Sequence, residues 1–571
     1  MNPSVPPLTG RLASLTSTAL ARLRQRLYPG ALSGSGWTAA ALQRCGIRQV
    51  YTVAGTPVDA VLAECAARGI RVLGMRHQQT AVLAAAAGNY VAGRLESVVV
   101  VSAGPAVTNT LTGLLVARDN GWPVVVLGGR RALSGAGTGQ FQELDARPIT
   151  GSLTRWTATP QRCEDIPKTV IEACSRAMDG RPGPVYLDLA EDVLTATAAC
   201  AMPEVPSPPH PAAPEESLLD AACRRIRESR RPLLVVGDGL RWSLDASDVR
   251  EFVEANGIPF ISTSLARGYL PDDHPLAAGA ARRWIQGEAD VVLLAGASLD
   301  WRFRFGSGVA AGACVIHADL DGPAIGLNVP ATIGWVGQPG VFLRSLTRAL
   351  AADGASRSPH PHSGWHEAIR QARDRTETSE ASRQSTPMAP RELVLALRDA
   401  LPPGVFLVAE GNVCLGAAQR LFKIREPLTW LDPGMNGIIG GGIPFAIGAQ
   451  VASPGRRVVA LCGDTGFAMS AMDLESAVRH RLPVVIVVAN NDGNTGALRD
   501  DALFPPDHPE RVTRYVPGLR YEQLVALFGG HAEFVTEPRQ FRPAMQRALE
   551  SGRPACIHVP VDPHAAPTAS W

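Results

Sequence analysis

Lysine is nearly absent from this chain: Lys168 and Lys423 are the only two, and every other basic residue is arginine. With 55 basic against 53 acidic residues the net charge is +2, which excludes the electrostatic footprint of a nucleic-acid or anionic-membrane binder. Abundant Arg, Ala, Gly and Pro together point to GC-rich coding, so arginine alone says little about anion binding. Paired cysteines are missing too. The ten cysteines, from Cys45 to Cys556, include no CxxC pair and no His/Cys ligand spacing. That argues against a disulfide framework or a zinc site and suits the reducing cytoplasm. No apolar run reaches the ~18 residues of a membrane span. Acidic residues are absent from the first 35 positions, which carry Arg11, Arg22, Arg24 and Arg26. This faintly resembles a transit peptide; a variable N-terminal extension over 1–32, with a short amphipathic helix, is the preferred reading.

A chain of 571 residues is too long for one core, and ~150 residues per domain gives three or four domains. Two stretches divide it. Pro203 to Pro214 holds six prolines in twelve residues and reads as an extended linker. The second, Ala355 to Pro390, is polar and has no sustained apolar period. The expected domains are therefore 33–200, 215–352 and 388–565. In each, short β-branched runs alternate with helical patterns. Val98–Val101 and Val124–Leu127 flank a helical stretch from Thr108 to Asn120. Pro232–Val236 and Val291–Leu294 recur in the second domain. Arg457–Leu461 and Val484–Val488 flank a helix expected over Ala468–His480. Continuous apolar strands alternating with helices predict the α/β class: three doubly wound parallel-sheet domains.

The third domain holds the most informative motif, Gly463-Asp464-Thr465-Gly466 followed by Asn490-Asn491-Asp492-Gly493. Both groups leave strands, so both turns open at the carboxyl edge of a parallel sheet, where ligands bind. A glycine-flanked turn at a helix N-terminus offers N–H groups to a diphosphate. The diphosphate calls for a hard cation, and Mg²⁺ takes oxygen ligands: the Asp464 carboxylate, the Asn491 side-chain carbonyl and a backbone carbonyl near Gly493. A Gly-Asp turn alone also serves simply to end a strand; the Asp-to-Asn separation across one helix is the specific feature.

That pair of turns resembles the thiamine diphosphate signature of the acetolactate synthase and pyruvate decarboxylase superfamily. The resemblance runs from about residue 33 onward and is nearest to 2-hydroxyacyl-CoA lyases and oxalyl-CoA decarboxylases. It rests also on Ala54-Gly55-Thr56-Pro57, Gly74-Met75-Arg76, Ser102-Ala103-Gly104-Pro105, Gly139 to Glu143 and Ala295 to Trp301. It implies pyrimidine-binding, central and diphosphate-binding domains in that order, with thiamine diphosphate and Mg²⁺ as cofactors. It further implies cofactor contacts at Gly55, Glu410, Gly411, Gly463, Asp464, Thr465, Asn491, Gly493 and Asn494. By the same resemblance Gly437 offers its carbonyl to the aminopyrimidine, and Ile439 is the apolar wedge under the bent cofactor; an ordinary core residue beside glycines is the alternative for Ile439.

Two departures qualify what the resemblance implies. Most relatives have a glutamate against the pyrimidine N1′, and here that position is Gln78. An amide hydrogen-bonds but cannot exchange a proton, so Gln78 marks either differently managed activation or a site that binds cofactor and does little chemistry. His77, its neighbour, is not promoted to the missing acid. At Asn494-Thr495 the acyl-CoA relatives have an apolar residue and a tyrosine, and Thr495 makes that wall smaller and more polar. Gln142 matches the lyase-type relatives near the reacting carbons, with a surface role as the alternative. In the central domain Gly237, Asp319 and Asp321 sit where relatives hold ADP or FAD, a site often vestigial. Asn109 and Arg118 are candidate substrate ligands that spacing does not separate from ordinary helix surface.

The expected activity is decarboxylation of a 2-oxo acid with acyl transfer to a carbonyl acceptor. The alternatives are a 2-hydroxyacyl-CoA lyase or oxalyl-CoA decarboxylase-like reaction with a thioester, and a cofactor-binding subunit with little turnover. The resemblance also implies a homodimer or homotetramer in which Asp464 and Gln78 serve one site from different chains.

Overall fold

The structure is a computed structural model that describes residues 30–207, 211–243, 247–352, 362–377, 387–505, 508 and 511–565. The extension up to residue 29 with its four arginines, residues 208–210 of the proline-rich linker and residues 355–361 and 378–386 of the polar stretch lie outside the described residues.

The valine-rich runs form three parallel sheets. The first comprises β1 (Gln49–Val53), β2 (Arg71–Gly74), β3 (Ser97–Val101), β4 (Val124–Arg130), β5 (Thr157–Ala158) and β6 (Pro184–Ala190), in the order β2-β1-β3-β4-β6-β5. The central sheet comprises β7 (Pro232–Val236), β8 (Phe260–Ser262), β9 (Val291–Ala295), β10 (Cys314–Asp319) and β11 (Ile333–Val336), in the order β8-β7-β9-β10-β11. The third comprises β12 (Phe406–Ala409), β13 (Trp430–Leu431), β14 (Val458–Gly463), β15 (Val485–Asn490), β16 (His531–Phe534) and β17 (Ala555–Pro560), in the order β13-β12-β14-β15-β17-β16. Every pairing within them is parallel.

Strand β3 shows why such runs read as continuous. Val98 and Val100 pack into one core with Val50 and Leu127, while Val99 and Val101 pack into another with Tyr51 and Leu114. Successive side chains point to opposite faces, and helices cover both. The inner faces of the first and third sheets share one core. Its seam is the crossing of α1 (Gln78–Ala92) and α2 (Gly442–Ala452). Both helices are rich in small residues there, and a Cβ added to Gly448 would lie 2.2 Å from the Ala84 carbonyl oxygen. Trp122 meets Phe445 edge-on at 5.2 Å beside this crossing, and each such buried ring contributes roughly 1.5–3 kcal/mol.

Arg241 of the central domain donates to the carbonyls of Tyr90 at 2.8 Å and Val91 at 3.0 Å, satisfying acceptors that the end of α1 leaves open. Two helices differ from expectation. The stretch Ala468–His480 is split into Asp464–Ser470 and Asp473–Arg479, and the buried Asp473 carboxylate at the start of the second helix accepts the Arg76 amide of the first domain at 2.8 Å. The stretch from Thr108 divides into Pro105–Thr108 and Leu111–Asn120. All ten cysteines are free, and no described helix is long and apolar enough to cross a membrane.

Candidate active site

At the carboxyl edge of the third sheet lies a cavity of about 440 Å³, within the size range of cofactor sites. Three turns wall it: Gly411 to Leu415 after β12, Gly463 to Gly466 after β14, and Asn491, Gly493, Asn494 and Thr495 after β15. Asp432 to Gly434, Gly437 to Ile439 and Trp301 of the central domain complete it. The helix Asn412–Leu421 begins at this wall, so the positive end of its dipole is turned to the cavity. Gly411 stands at φ +95°, and a Cβ there would approach the Gly463 amide nitrogen to 2.9 Å; only glycine lets these two turns lie so close.

Asp464 joins the second and third turns. Its Oδ1 accepts the Thr465 amide at 2.7 Å and its Oδ2 the Gly493 amide at 2.9 Å. The residue is 2% exposed, and burial pushes its carboxyl up to about 6 despite those amide donors. Asn491 is buried. The turn is shaped by Asn490, whose Nδ2 donates to Asp492 Oδ1 at 2.9 Å while its Oδ1 accepts the Asp492 amide at 3.0 Å. A segment distant in sequence crosses above: Gly493 pairs with Arg514 as an antiparallel bridge, and the Asn494 amide donates to Thr513 O at 2.8 Å. Tyr515 places its hydroxyl 2.9 Å from Thr465 Oγ1, and Arg514 Nη1 donates to Asn491 O at 3.3 Å.

These groups fit Mg²⁺ and a diphosphate. Among the described residues no group of three His, Cys, Asp or Glu is placed to hold a metal ion. One carboxylate, one carboxamide and a glycine backbone give an oxygen-only donor set, which leaves coordination positions for phosphate oxygens and water. The buried Asp464 carboxylate is the group whose charge such a cation would compensate.

Glu410 requires a correction. Expected as a cofactor contact, it stands behind the cavity wall instead. It is 1% exposed, accepts the Gly440 amide, and accepts the Gly442 amide at 2.5 Å. Burial raises it to about 7, against the pull of those amides. It therefore clamps the glycine-rich loop, and a Cβ on Gly466 would strike its carboxylate at 2.1 Å. The other end of that loop is tied to the first domain: Asn436 Nδ2 donates to Asp119 Oδ2 at 2.8 Å and the Met435 amide to Asn120 Oδ1 at 2.8 Å. Held at both ends, the loop presents Gly437 (φ +71°) and Ile439, which is 42% exposed and lines the cavity. Ile439 is thus not an ordinary core residue. Thr495 also lines the cavity, at φ +68°, and its hydroxyl donates to Asn494 O at 2.6 Å.

Gly55, Gln78 and Gln142 are not among the residues walling this cavity. They occupy the carboxyl edge of the first sheet. Gln78 opens α1; His77 caps it through Nδ1, which accepts the Gln79 amide at 3.1 Å. Gln78 Oε1 accepts Asn109 Nδ2 at 3.0 Å. Gln142 holds φ +57° and abuts Gly104, where a Cβ would lie 2.9 Å from its own Cβ. Arg118 is engaged by Asp119 at 2.9 Å and by Ser152 O at 3.0 Å, which are helix-surface contacts.

In the central domain the crevice between β7 and β9 is closed. A Cβ on Gly237 would lie 1.9 Å from Gly296 O, and the Gly239 amide is given to that same oxygen at 2.9 Å. Asp238, in the turn itself, pairs with buried Arg302 at 2.8 Å. The amides of Gly237 and Gly239 in this turn are thus spent internally. Asp319 Oδ1 accepts the Asp321 amide at 2.9 Å.

Sequence reasoning assigned no role to Trp301 or Tyr515; Asn412, expected with Gly411 at the phosphate pocket, does line the cavity. Trp301 anchors the loop by donating Nε1 to Met435 O at 2.9 Å; it was visible only as part of a motif. Tyr515 lies 50 residues from Thr465, and nothing in local pattern joins them.

Three family profiles match the chain: the thiamine pyrophosphate enzyme N-terminal TPP binding domain over residues 32–149, the central domain over 219–346 and the C-terminal TPP binding domain over 411–559. Among similar proteins is the 2-hydroxyacyl-CoA lyase of Oryza sativa subsp. japonica, 34% identical over 94% of this chain and 96% of that relative. The acetolactate synthase large subunit IlvG of Mycobacterium tuberculosis is 33% identical over 92% and 95%. The oxalyl-CoA decarboxylase of Escherichia coli K12 is 32% identical over 92% and 94%.

Proposed function

The chain belongs to the thiamine pyrophosphate enzyme family, and from that premise we propose that it decarboxylates a 2-oxo acid and transfers the acyl unit to a carbonyl acceptor, forming an acyloin. Asp464, Asn491 and the Gly493 backbone would hold Mg²⁺, with the cofactor diphosphate at the turns of Gly411 and Thr465. Gly437 and Ile439 would receive the thiamine. When bound, thiamine diphosphate supplies a nucleophilic carbon and an electron sink for cleavage next to a carbonyl.

The observation that carries the carboligase reading is Gln78. It stands at the first turn of α1 with Asn109 as its side-chain partner, and in this reading its carboxamide takes the place of a proton-exchanging acid. A carboxamide holds a hydrogen bond but moves no proton, and loss of a positioned acid costs ~10²–10⁴-fold in the step it serves. A reaction that replaces a proton transfer by carbon–carbon bond formation is the one such a site retains. Thr495, short and hydroxylated at the cavity wall, suits a small polar donor.

Because the cavity wall contains no first-domain residue, Gln78 reaches the cofactor from a second subunit in this reading. The minimum assembly is then a homodimer, acting in the cytoplasm. The test is to supply the protein with Mg²⁺, thiamine diphosphate and a panel of 2-oxo acids, and to follow products by mass spectrometry. Acyloins support the proposal; aldehyde alone from every donor contradicts it. A second reading, a lyase acting on 2-hydroxyacyl thioesters, is favoured by the 34% identity to the rice enzyme and predicts a CoA-dependent product in the same assay. Cofactor binding without product, rescued by Gln78→Glu, would mark a chain impaired in activation.

A further inference from the structure

We infer that Asn109 is a positioning residue that decides which end of the Gln78 carboxamide meets the cofactor. The inference rests on the reading above, in which Gln78 faces the aminopyrimidine ring.

A glutamine side chain has two chemically opposite ends: an oxygen that only accepts and an NH₂ that only donates. The two are nearly equal in shape, so nothing steric selects between them. The neutral pyrimidine ring nitrogen is an acceptor. A useful contact therefore needs the Gln78 NH₂ turned to the ring, and the Gln78 oxygen turned elsewhere to a donor. Asn109 supplies that donor, its Nδ2 lying 3.0 Å from Gln78 Oε1. With the oxygen so held, the NH₂ end of Gln78 is directed to the other side. Were the amide reversed, its oxygen would face the ring nitrogen lone pair and the contact would be repulsive.

The Asn109 backbone is held in place. It sits in the break between the helices Pro105–Thr108 and Leu111–Asn120, and its amide donates to Pro105 O at 3.0 Å. The next residue, Thr110, is buried and donates Oγ1 to Val107 O at 2.6 Å. Residue 109 meets Gln78 across 31 residues of sequence. In an enzyme with a carboxylic acid at this position the acid's own proton settles the direction of the bond. With an amide, a neighbour must settle it.

The test is a double-mutant cycle on the full-length protein, read by calorimetric titration with thiamine diphosphate at fixed Mg²⁺ and by the near-ultraviolet circular dichroism of the bound aminopyrimidine. Asn109→Asp offers only acceptors, so it pulls the Gln78 NH₂ away from the ring. It is expected to weaken binding by roughly 10-fold and change the dichroic band, and Asn109→Ala by less. In a Gln78→Ala background neither substitution should matter. Equal effects of Asp and Ala, or the same losses without Gln78, would overturn the inference while leaving the functional reading intact. Failure of the wild-type protein to bind thiamine diphosphate would overturn both.

Discussion

The first and third domains have the same sheet, strand for strand: β2-β1-β3-β4-β6-β5 in one, β13-β12-β14-β15-β17-β16 in the other. Even the helices that follow the equivalent strands β2 and β13 are partners, since α1 and α2 cross at Gly88 and Gly448. The turns at the carboxyl edges are where the two part. After the third strand in sequence, one domain reads Ser102-Ala103-Gly104-Pro105 and the other Gly463-Asp464-Thr465-Gly466. After the fourth strand, Arg131 stands against Asn491-Asp492-Gly493. The third domain thus puts a buried carboxylate and amide oxygens where a cation and diphosphate would bind. The first offers carboxamides, Gln78 and Asn109, at its edge. A repeated scaffold fixes where a site opens; the turn residues fix its chemistry.

The largest test of that contrast gives the first domain the acid it lacks. Gln78→Glu should accelerate cofactor activation by as much as ~10²–10⁴-fold, measured by deuterium exchange at the reactive carbon of bound thiamine diphosphate. An unchanged rate would remove Gln78 from the site. Next, Asp464→Ala should weaken Mg²⁺-dependent cofactor binding by more than the ~100-fold that a supporting contact to a metal ligand costs, seen by calorimetry; a smaller loss would deny Asp464 its place at the metal. Smaller again is the seam. Gly448→Ala forces a methyl onto the Ala84 carbonyl and should cost ~1–3 kcal/mol, visible as a lowered melting temperature.

The mildest effect concerns Glu410. Burial holds its folded-state value near 7, above the ordinary 4.5, so the folded state binds the extra proton between those values. Its stabilisation is full below the unfolded value and lost as pH rises to about 7; the unfolded protein binds fewer protons there. Urea midpoints of wild type should therefore fall relative to Glu410→Gln from pH 4.5 to neutrality. Parallel profiles would show that Glu410 does not titrate as placed.

Much of this was legible in the sequence. Valine runs such as Val98–Val101 announce parallel strands because both faces are covered, and the interval from Asp464 to Asn491 announces two turns at one sheet edge. What stayed hidden depends on direction and distance. Glu410 sits beside Gly411, yet which way its carboxylate turns is set by the amides of Gly440 and Gly442, thirty residues on. Tyr515 and Arg514 return over the cavity from a segment with no periodic signal. The Asp473 carboxylate is met by a first-domain amide, that of Arg76, which no local pattern contains. The kinship of the two outer sheets lies in strand order and is silent in composition.

The central claim is that the third-domain cavity holds thiamine diphosphate through a hard cation on Asp464, Asn491 and Gly493. Calorimetric titration of the wild-type protein with thiamine diphosphate, with Mg²⁺ and then with a chelator in its place, tests it most directly. Saturable binding that requires Mg²⁺ is expected. No binding, or binding indifferent to the chelator, would contradict it.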